Sequence, residues 1–185
     1  MVWGRQKRKA RLGKQLVKTK PILVGLGANL PSERHGSPVA TLEAALQSMA
    51  GRGLKLVARS SWWESAPVPV SDQPWYVNGV AEIATDLDPV ALLGALHAIE
   101  AEFGRVRSVP NAPRVLDLDL LDYGGMVRTG PEAPLLPHPR LAERAFVLKP
   151  LSEMSPDWHH PVSGRNLSEM LAALPPGQIV RPLPY

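Results

Sequence analysis

Arg114-Val115-Leu116-Asp117-Leu118-Asp119-Leu120-Leu121 alternates apolar and acidic side chains with a period of two, and that pattern restricts the segment to a β-strand. Leu116, Leu118 and Leu120 point to one face, Asp117 and Asp119 to the other. Two carboxylates crowded on one face repel unless a cation lies between or beside them. Hard oxygen ligands at this spacing suit magnesium, which usually takes one or two carboxylates and completes its shell with substrate phosphates. Arg114, just upstream, suits a phosphate held by such a metal. An amphipathic strand with a solvated acidic face would explain an isolated D-x-D. It does not explain Arg105, Arg107 and Arg114 converging on the same stretch.

At 185 residues the chain reads as one domain with a sizeable core. No apolar run approaches the ~20 residues that span a bilayer, so no membrane partner is expected. With no cysteine there is no disulfide framework, thiolate chemistry or cysteine-based zinc site, which fits a cytoplasmic location. The formal charge of +4 is uneven: residues 1–20 carry eight Lys or Arg and no acid, the remainder thirteen basic and seventeen acidic residues. The first twenty residues lack an apolar signal segment and contain one hydroxyl residue, Thr19. They read as a basic, disordered extension, with a transit peptide, a nucleic-acid-binding arm or an upstream start codon as alternatives. No function is built on them.

The order of elements follows from periodicity and punctuation. Ile22 to Gly27 is a short buried strand, and Asn29-Leu30-Pro31 begins a loop. Pro38 starts a helix with Leu42, Ala45, Leu46 and Met49 on one face, which Gly51 and Gly53 end. Leu54 to Trp63 and Tyr76 to Thr85 read as strands separated by a Pro-rich loop. Asp88-Pro89 caps a second helix, with Leu92, Leu93, Leu96 and Ile99 inward and a stop near Gly104. The acidic strand 115–123 follows, turned by Gly124-Gly125 into a short hairpin; Leu141 to Leu151 and Asn166 to Leu174 read as short helices. The order β-α-β-β-α-β plus a C-terminal appendage predicts a ferredoxin-like α+β sandwich, an antiparallel sheet with helices packed on it.

Five ordered blocks resemble 6-hydroxymethyl-7,8-dihydropterin pyrophosphokinases. Pro113-Arg114-Val115-Leu116-Asp117-Leu118-Asp119-Leu120-Leu121 is similar to the family signature. Leu26-Gly27-Ala28-Asn29-Leu30 resembles its turn after the first strand. Ser60-Ser61 through Asp72-Gln73-Pro74-Trp75-Tyr76-Val77-Asn78 resembles its pterin block. Gly104-Arg105-Val106-Arg107 resembles the G-R-x-R that closes the second helix. Leu136-Pro137-His138-Pro139-Arg140-Leu141 and Arg144-Ala145-Phe146-Val147-Leu148 resemble the downstream blocks. The resemblance runs from about Ile22 to Leu174 and implies one pyrophosphokinase domain over 21–185.

The resemblance implies transfer of pyrophosphate from ATP to the hydroxymethyl group of the reduced pterin, with AMP released. It implies two Mg²⁺ ions on Asp117 and Asp119, and Arg105 and Arg114 on the transferring phosphates. Ser65, Ala66, Val68, Tyr76, Asn78 and Phe146 match the pterin positions, Ser65, Ala66 and Val68 largely through backbone atoms. His97, Glu100, Arg105, Arg107, Leu120, His138 and Arg144 match the ATP positions. The expected partners are those two small molecules and no nucleic acid, and the expected state is a monomer. Taken alone, Tyr76 and Phe146 would read as core, and His138, His159 and His160 as loop residues.

Three departures stand out. Pro110-Asn111-Ala112-Pro113-Arg114 lacks the basic residue and tryptophan common before the signature, so closure over ATP is expected to differ. His97 stands where a glutamine is common, making that contact pH-sensitive. Ala66 replaces a common proline. Two other readings compete. A metal-dependent nucleotidyltransferase also uses paired aspartates, but its Gly-Ser helix start is missing here. A ferredoxin-like RNA-binding module would offer an open sheet face, but this face carries Asp117 and Asp119 and lacks aromatic RNA motifs.

Overall fold

Ser37 and Asp88 begin the two long helices in the same way. Each side chain accepts a first-turn N–H (Ala40 for Ser37; Val90 and Ala91 for Asp88), and each is followed by a proline that has no N–H to lose. The computed structural model describes residues 20–69, 71–105 and 113–184. Its strands are β1 (Ile22–Ala28), β2 (Lys55–Arg59), β3 (Trp63–Ser65), β4 (Tyr76–Ala84), β5 (Asp117–Tyr123) and β6 (Val180–Pro182). Its helices are α1 (Pro38–Gly51), α2 (Pro89–Glu102), α3 (Ala145–Met154) and α4 (Leu167–Ala172), with a 3-10 turn at Leu141–Glu143.

The strands form one antiparallel sheet in the order β5-β1-β4-β3-β6, with β2 also paired to β4. Helices α1 and α2 cover one face. Leu42, Leu46, Met49, Leu92, Leu96 and Ile99 meet Val24, Leu26, Leu116, Leu118 and Leu120 in the main core. Leu93 is only partly buried there. Helices α3 and α4 close part of the opposite face, where Leu148, Leu151, Leu167 and Met170 pack on Leu23, Val80 and Leu121. The expected ferredoxin-like α+β order is present, and the C-terminal appendage turns out to be a second covering layer.

Three sequence expectations are corrected. The strand expected over 54–63 is broken at Ser60, whose Oγ accepts the Val80 N–H (3.1 Å) and displaces regular pairing. The break lets Trp62 turn into the main core, and Glu153 of α3 takes the Ser61 N–H (2.9 Å) and the Trp63 indole N–H (3.0 Å). The expected hairpin after Gly124-Gly125 does not pair with β5 as a strand. Its return arm makes one bridge within the loop, Arg128 to Leu136, and touches β5 where the His138 N–H donates to the Leu121 carbonyl (2.8 Å). The helix expected over 141–151 is interrupted at Arg144, whose backbone is extended (φ −110°, ψ 107°). β6 had no counterpart in the sequence reading.

The period-two pattern of β5 also ends early. Pairing slips between Leu23 and Val24, which lie opposite Asp122 and Leu120, so Leu121 is an extra residue in β5. The bulge sends Leu121 and Asp122 to the α3–α4 side and returns Tyr123 to the main core. There Asp122 is 1 % exposed and accepts from the Trp158 indole (2.8 Å) and the Gly125 N–H (3.0 Å). Burial holds its carboxyl above the usual range, while these hydrogen bonds pull the other way by favouring the ionised form. Replacing Trp158 with Phe removes the stronger of these supports and raises the Asp122 pKa further. Urea unfolding should show a loss of about 1–3 kcal/mol near neutral pH. That loss should fade as pH falls through the raised folded-state pKa, because the protonated carboxyl no longer needs the donor. A loss independent of pH would mean that indole packing alone is at stake.

Candidate active site

Along β1, alternate residues Val24, Leu26 and Ala28 enter the main core, which leaves Gly25 and Gly27 on the other face. Gly25 lies opposite Asp119 and Gly27 opposite Asp117 on β5, and on the other side Gly27 faces Asn78 of β4. The missing side chains make a trough between the acidic strand and β4. A cavity of about 760 Å³ sits over it. Its lining includes Asp117, Asp119, Arg114 and Arg144 together with Ser65, Ala66, Val68, Tyr76, Asn78 and Phe146.

The two carboxylates are not left to repel. Arg105 pairs with Asp117 (2.5 Å), Arg114 with Asp117 (2.6 Å) and Arg144 with Asp119 (3.1 Å). Burial would lower the Arg114 pKa, but Asp117 beside it, with Tyr76 and Asp119, raises it above its usual value. Arg105 is fixed from behind by Glu100, which is 1 % exposed and also accepts the Leu118 N–H (2.8 Å). Arg114 is fixed through its backbone. Asn29, buried after β1, accepts the Arg114 N–H on Oδ1 (2.8 Å), donates its own N–H to the Arg114 carbonyl (3.0 Å) and donates Nδ2–H to Pro74 (3.1 Å). One amide thus joins the β1 turn, the 72–75 loop and the start of β5.

Also in the lining, Asn78 donates to Ser65 Oγ (2.9 Å), and the Tyr76 hydroxyl donates to Gln73 (3.2 Å). Burial, with Asp117 nearby, raises the Tyr76 pKa, against the opposing pull of Arg114. Phe146 lies 5.5 Å from the Arg144 guanidinium. The Ala66 N–H, expected among the backbone contacts to a ligand, is taken by the Ile179 carbonyl (3.1 Å).

The remaining expected residues lie around this cavity rather than in its lining. Arg105 and Glu100 stand behind Asp117, and His97 sits half-buried on α2 one turn before Glu100. The Leu120 side chain is buried in the main core, so its side chain faces away from the trough. His138 accepts the Arg140 N–H on Nδ1 (3.1 Å), which leaves the ring proton on Nε2 in the neutral form. Burial lowers its pKa, and Arg144 and Arg140 add to that effect against Asp119 and Asp117. Arg107 and the 108–112 stretch lie outside the described residues. So does residues 1–19 of the basic extension.

Several lining residues escaped the sequence reading: Gly25, Gln73, Arg140 and the C-terminal residues Gln178 and Ile179. Gln73 was legible within the Asp72-Gln73-Pro74 block. The C-terminal pair carried no local signal.

Among the described residues no group of three or more His, Cys, Asp or Glu could hold a metal ion. Two same-face carboxylates at a cavity fit a magnesium that shares its shell with phosphate oxygens and do not fit an all-protein cage. No helix among the described residues is long and apolar enough to cross a membrane. An RNA-binding face would need the sheet surface that α3 and α4 partly close.

Residues 23–156 match the family described as 7,8-dihydro-6-hydroxymethylpterin-pyrophosphokinase (HPPK). The chain is 43% identical over 155 residues to the 2-amino-4-hydroxy-6-hydroxymethyldihydropteridine pyrophosphokinase of Pseudomonas aeruginosa, covering 83% of this chain and 91% of that one. It is 35% identical over 169 residues to the folic acid synthesis protein fol1 of Pneumocystis carinii, covering 91% of this chain and 22% of that protein. The fold is similar to that of wild-type Plasmodium falciparum HPPK-DHPS, with a TM-score of 0.62 at 14% identity over 84% of this chain and 45% of that chain. The chain therefore spans about a fifth of the fol1 protein and less than half of the Plasmodium chain, but nine-tenths of the Pseudomonas enzyme. With the signature blocks gathered around one trough, the chain belongs to the 7,8-dihydro-6-hydroxymethylpterin-pyrophosphokinase family of enzymes.

Proposed function

We propose that the chain transfers the terminal pyrophosphate of ATP to the hydroxymethyl oxygen of 6-hydroxymethyl-7,8-dihydropterin, a step of folate biosynthesis. The new bond forms between that oxygen and the β-phosphorus, the bond from the β-phosphorus to the bridging oxygen breaks, and AMP leaves. The observation that carries this reading is the set of three arginines on two same-face carboxylates beside a glycine-floored trough. Two Mg²⁺ ions on Asp117 and Asp119, sharing the triphosphate oxygens, would supply charge neutralisation and Lewis-acid polarisation of the phosphoryl group.

The protein's own contribution is positioning and electrostatics. A guanidinium has five N–H donors, so Arg105, Arg114 and Arg144 can hold a carboxylate and a phosphate oxygen together. One of Asp117 and Asp119 would lower the pKa of the pterin hydroxyl, through the metal it holds, or help take its proton. Tyr76 and Phe146 supply faces for the flat pterin, and Asn78 and the backbone near Ser65, Ala66 and Val68 supply its polar rim. His97, Glu100, Arg107, Leu120 and His138 belong to the ATP side, Leu120 through its backbone and Glu100 by holding Arg105. Residues 21–185 act as one domain, in a cytoplasmic monomer, with residues 1–20 outside the catalytic unit.

The direct test is AMP release by purified protein given ATP, Mg²⁺ and the pterin, with the product identified by mass. Pterin-dependent AMP and a diphosphorylated pterin are expected; ATP turnover that ignores the pterin would defeat the proposal. Asp119→Ala should abolish turnover while the thermal midpoint stays near that of the parent. Retained turnover would remove Asp119 from the metal set. Tyr76→Ala should weaken pterin binding by roughly 1–3 kcal/mol through lost stacking and buried area, with an unchanged Kd excluding it from the site.

The trough itself is testable. A Cβ on Gly27 would lie 3.5 Å from Asn78 Oδ1 and 3.8 Å from Asp117 Cβ, which is ordinary contact. Gly27→Ala should therefore fold normally, yet lower pterin affinity by about tenfold, ~1.4 kcal/mol, by filling the space a ligand needs. Calorimetric titration showing parental affinity would mean that the pterin lies elsewhere.

A further inference from the structure

Gln178 holds the backbone on both sides of Arg144. Its Oε1 accepts the Ala145 N–H (2.9 Å) and its Nε2 donates to the Glu143 carbonyl (2.8 Å). Ala145 is the first residue of α3, and Arg144, at the cap position, offers that helix no side-chain cap. The amide that caps α3 therefore comes from 33 residues downstream. It encloses the one residue that breaks the helix expected over 141–151, in the extended conformation from which the Arg144 guanidinium reaches Asp119 and lies by Phe146.

Gln178 is itself anchored. The next carbonyl, of Ile179, accepts the Ala66 N–H (3.1 Å), and that of Val180 accepts from Lys149 Nζ (2.9 Å). Val180 then pairs with Ser65 as β6 joins β3. The C-terminal segment thus ties Ser65 and Ala66 on one wall of the cavity to Arg144 and Phe146 on another. All of these C-terminal residues lie beyond 23–156, the part matched to the family.

We propose that Gln178 is a positioning residue for the transfer, clamping Glu143 and Ala145 so that Arg144 and Phe146 are held towards the phosphate and pterin ends of one cavity. Each polar atom of its amide is engaged by the backbone on either side of Arg144, so its part in the transfer is to hold Arg144, although it also lines the cavity. An extended residue at a helix start has many alternative conformations, and a misplaced guanidinium loses the alignment on which this kind of catalysis depends. The role in turnover rests on the proposed reaction; the clamp does not.

The test uses the full chain with Gln178→Met, which keeps the length of the side chain and removes both hydrogen bonds, and Gln178→Glu, which keeps the acceptor for Ala145. Amide hydrogen exchange should show Ala145 exposed in the Met variant and protected in the Glu variant. kcat should fall by about tenfold or more in the Met variant and by less in the Glu variant, while KM for ATP and the thermal midpoint change little. In an Arg144→Ala background, Gln178→Met should cost less than about twofold further, because the residue it positions is gone. Unchanged Ala145 exchange in the Met variant would overturn the clamp. Unchanged kcat, or an equal loss in the Arg144→Ala background, would overturn its role through Arg144. Should the Met variant not fold, Gln178→Ala, which also removes both hydrogen bonds, takes its place in the exchange and kcat measurements, with the same outcomes deciding the clamp and its role. A parent protein without pterin turnover would defeat the proposed reaction, and the exchange measurement would still decide the clamp.

Discussion

The buried carboxylate of Glu100 organises the acidic end of this protein. It sits inside the seam between α2 and β5, where a lone charge would be strongly unfavourable, and it is matched there by the Arg105 guanidinium and the Leu118 N–H. The Leu118 N–H belongs to a strand that, among the described residues, lies at the sheet edge beside β1, so the same contact closes an open ladder position. Arg105, once held, meets Asp117 with the same Nη1. A structural requirement, that of satisfying a buried charge, thus delivers a cation to the Asp117 carboxylate without a flexible side chain having to find it.

The other arginines are placed by different means towards the same end. Arg114 is held by its own backbone, through the Asn29 amide, and Arg144 by a break in the helix that follows it. Three independent supports leave three guanidiniums around two carboxylates, which is a preorganised arrangement for a reaction whose barrier is mostly charge alignment. Beside them the sheet contributes by omission. Gly25 and Gly27 withhold side chains where β1 runs between Asp117, Asp119 and Asn78, and that gap is what the cavity occupies.

Much of this was legible locally. Helix starts at Ser37 and Asp88, the acid-bearing strand and the β-α-β-β-α-β order all rest on periodicity and capping, which are properties of neighbouring residues. The errors fall where a distant partner competes with local preference. Ser60 breaks a strand because Val80 offers its N–H, Leu121 bulges to bring Asp122 under Trp158, and Arg144 leaves the helix with Gln178 capping the next residue. Glu100 is one of the expected ATP positions, and its buried carboxylate supports Arg105, a role that burial and not spacing reveals.

The sequence by itself determined the alternation that puts Asp117 and Asp119 on one face and the motif order that identifies the family. Those are matters of spacing along one chain segment. Only the tertiary structure decided which arginine meets which carboxylate, that Leu120 points into the core, and that the last strand walls the cavity beside Ser65 and Ala66. The physical reason is common to all three. Apart from the Arg114–Asp117 pair, three residues apart, each depends on groups distant along the chain, and what selects the partner is the cost of leaving a buried charge or backbone group unsatisfied once the layers close.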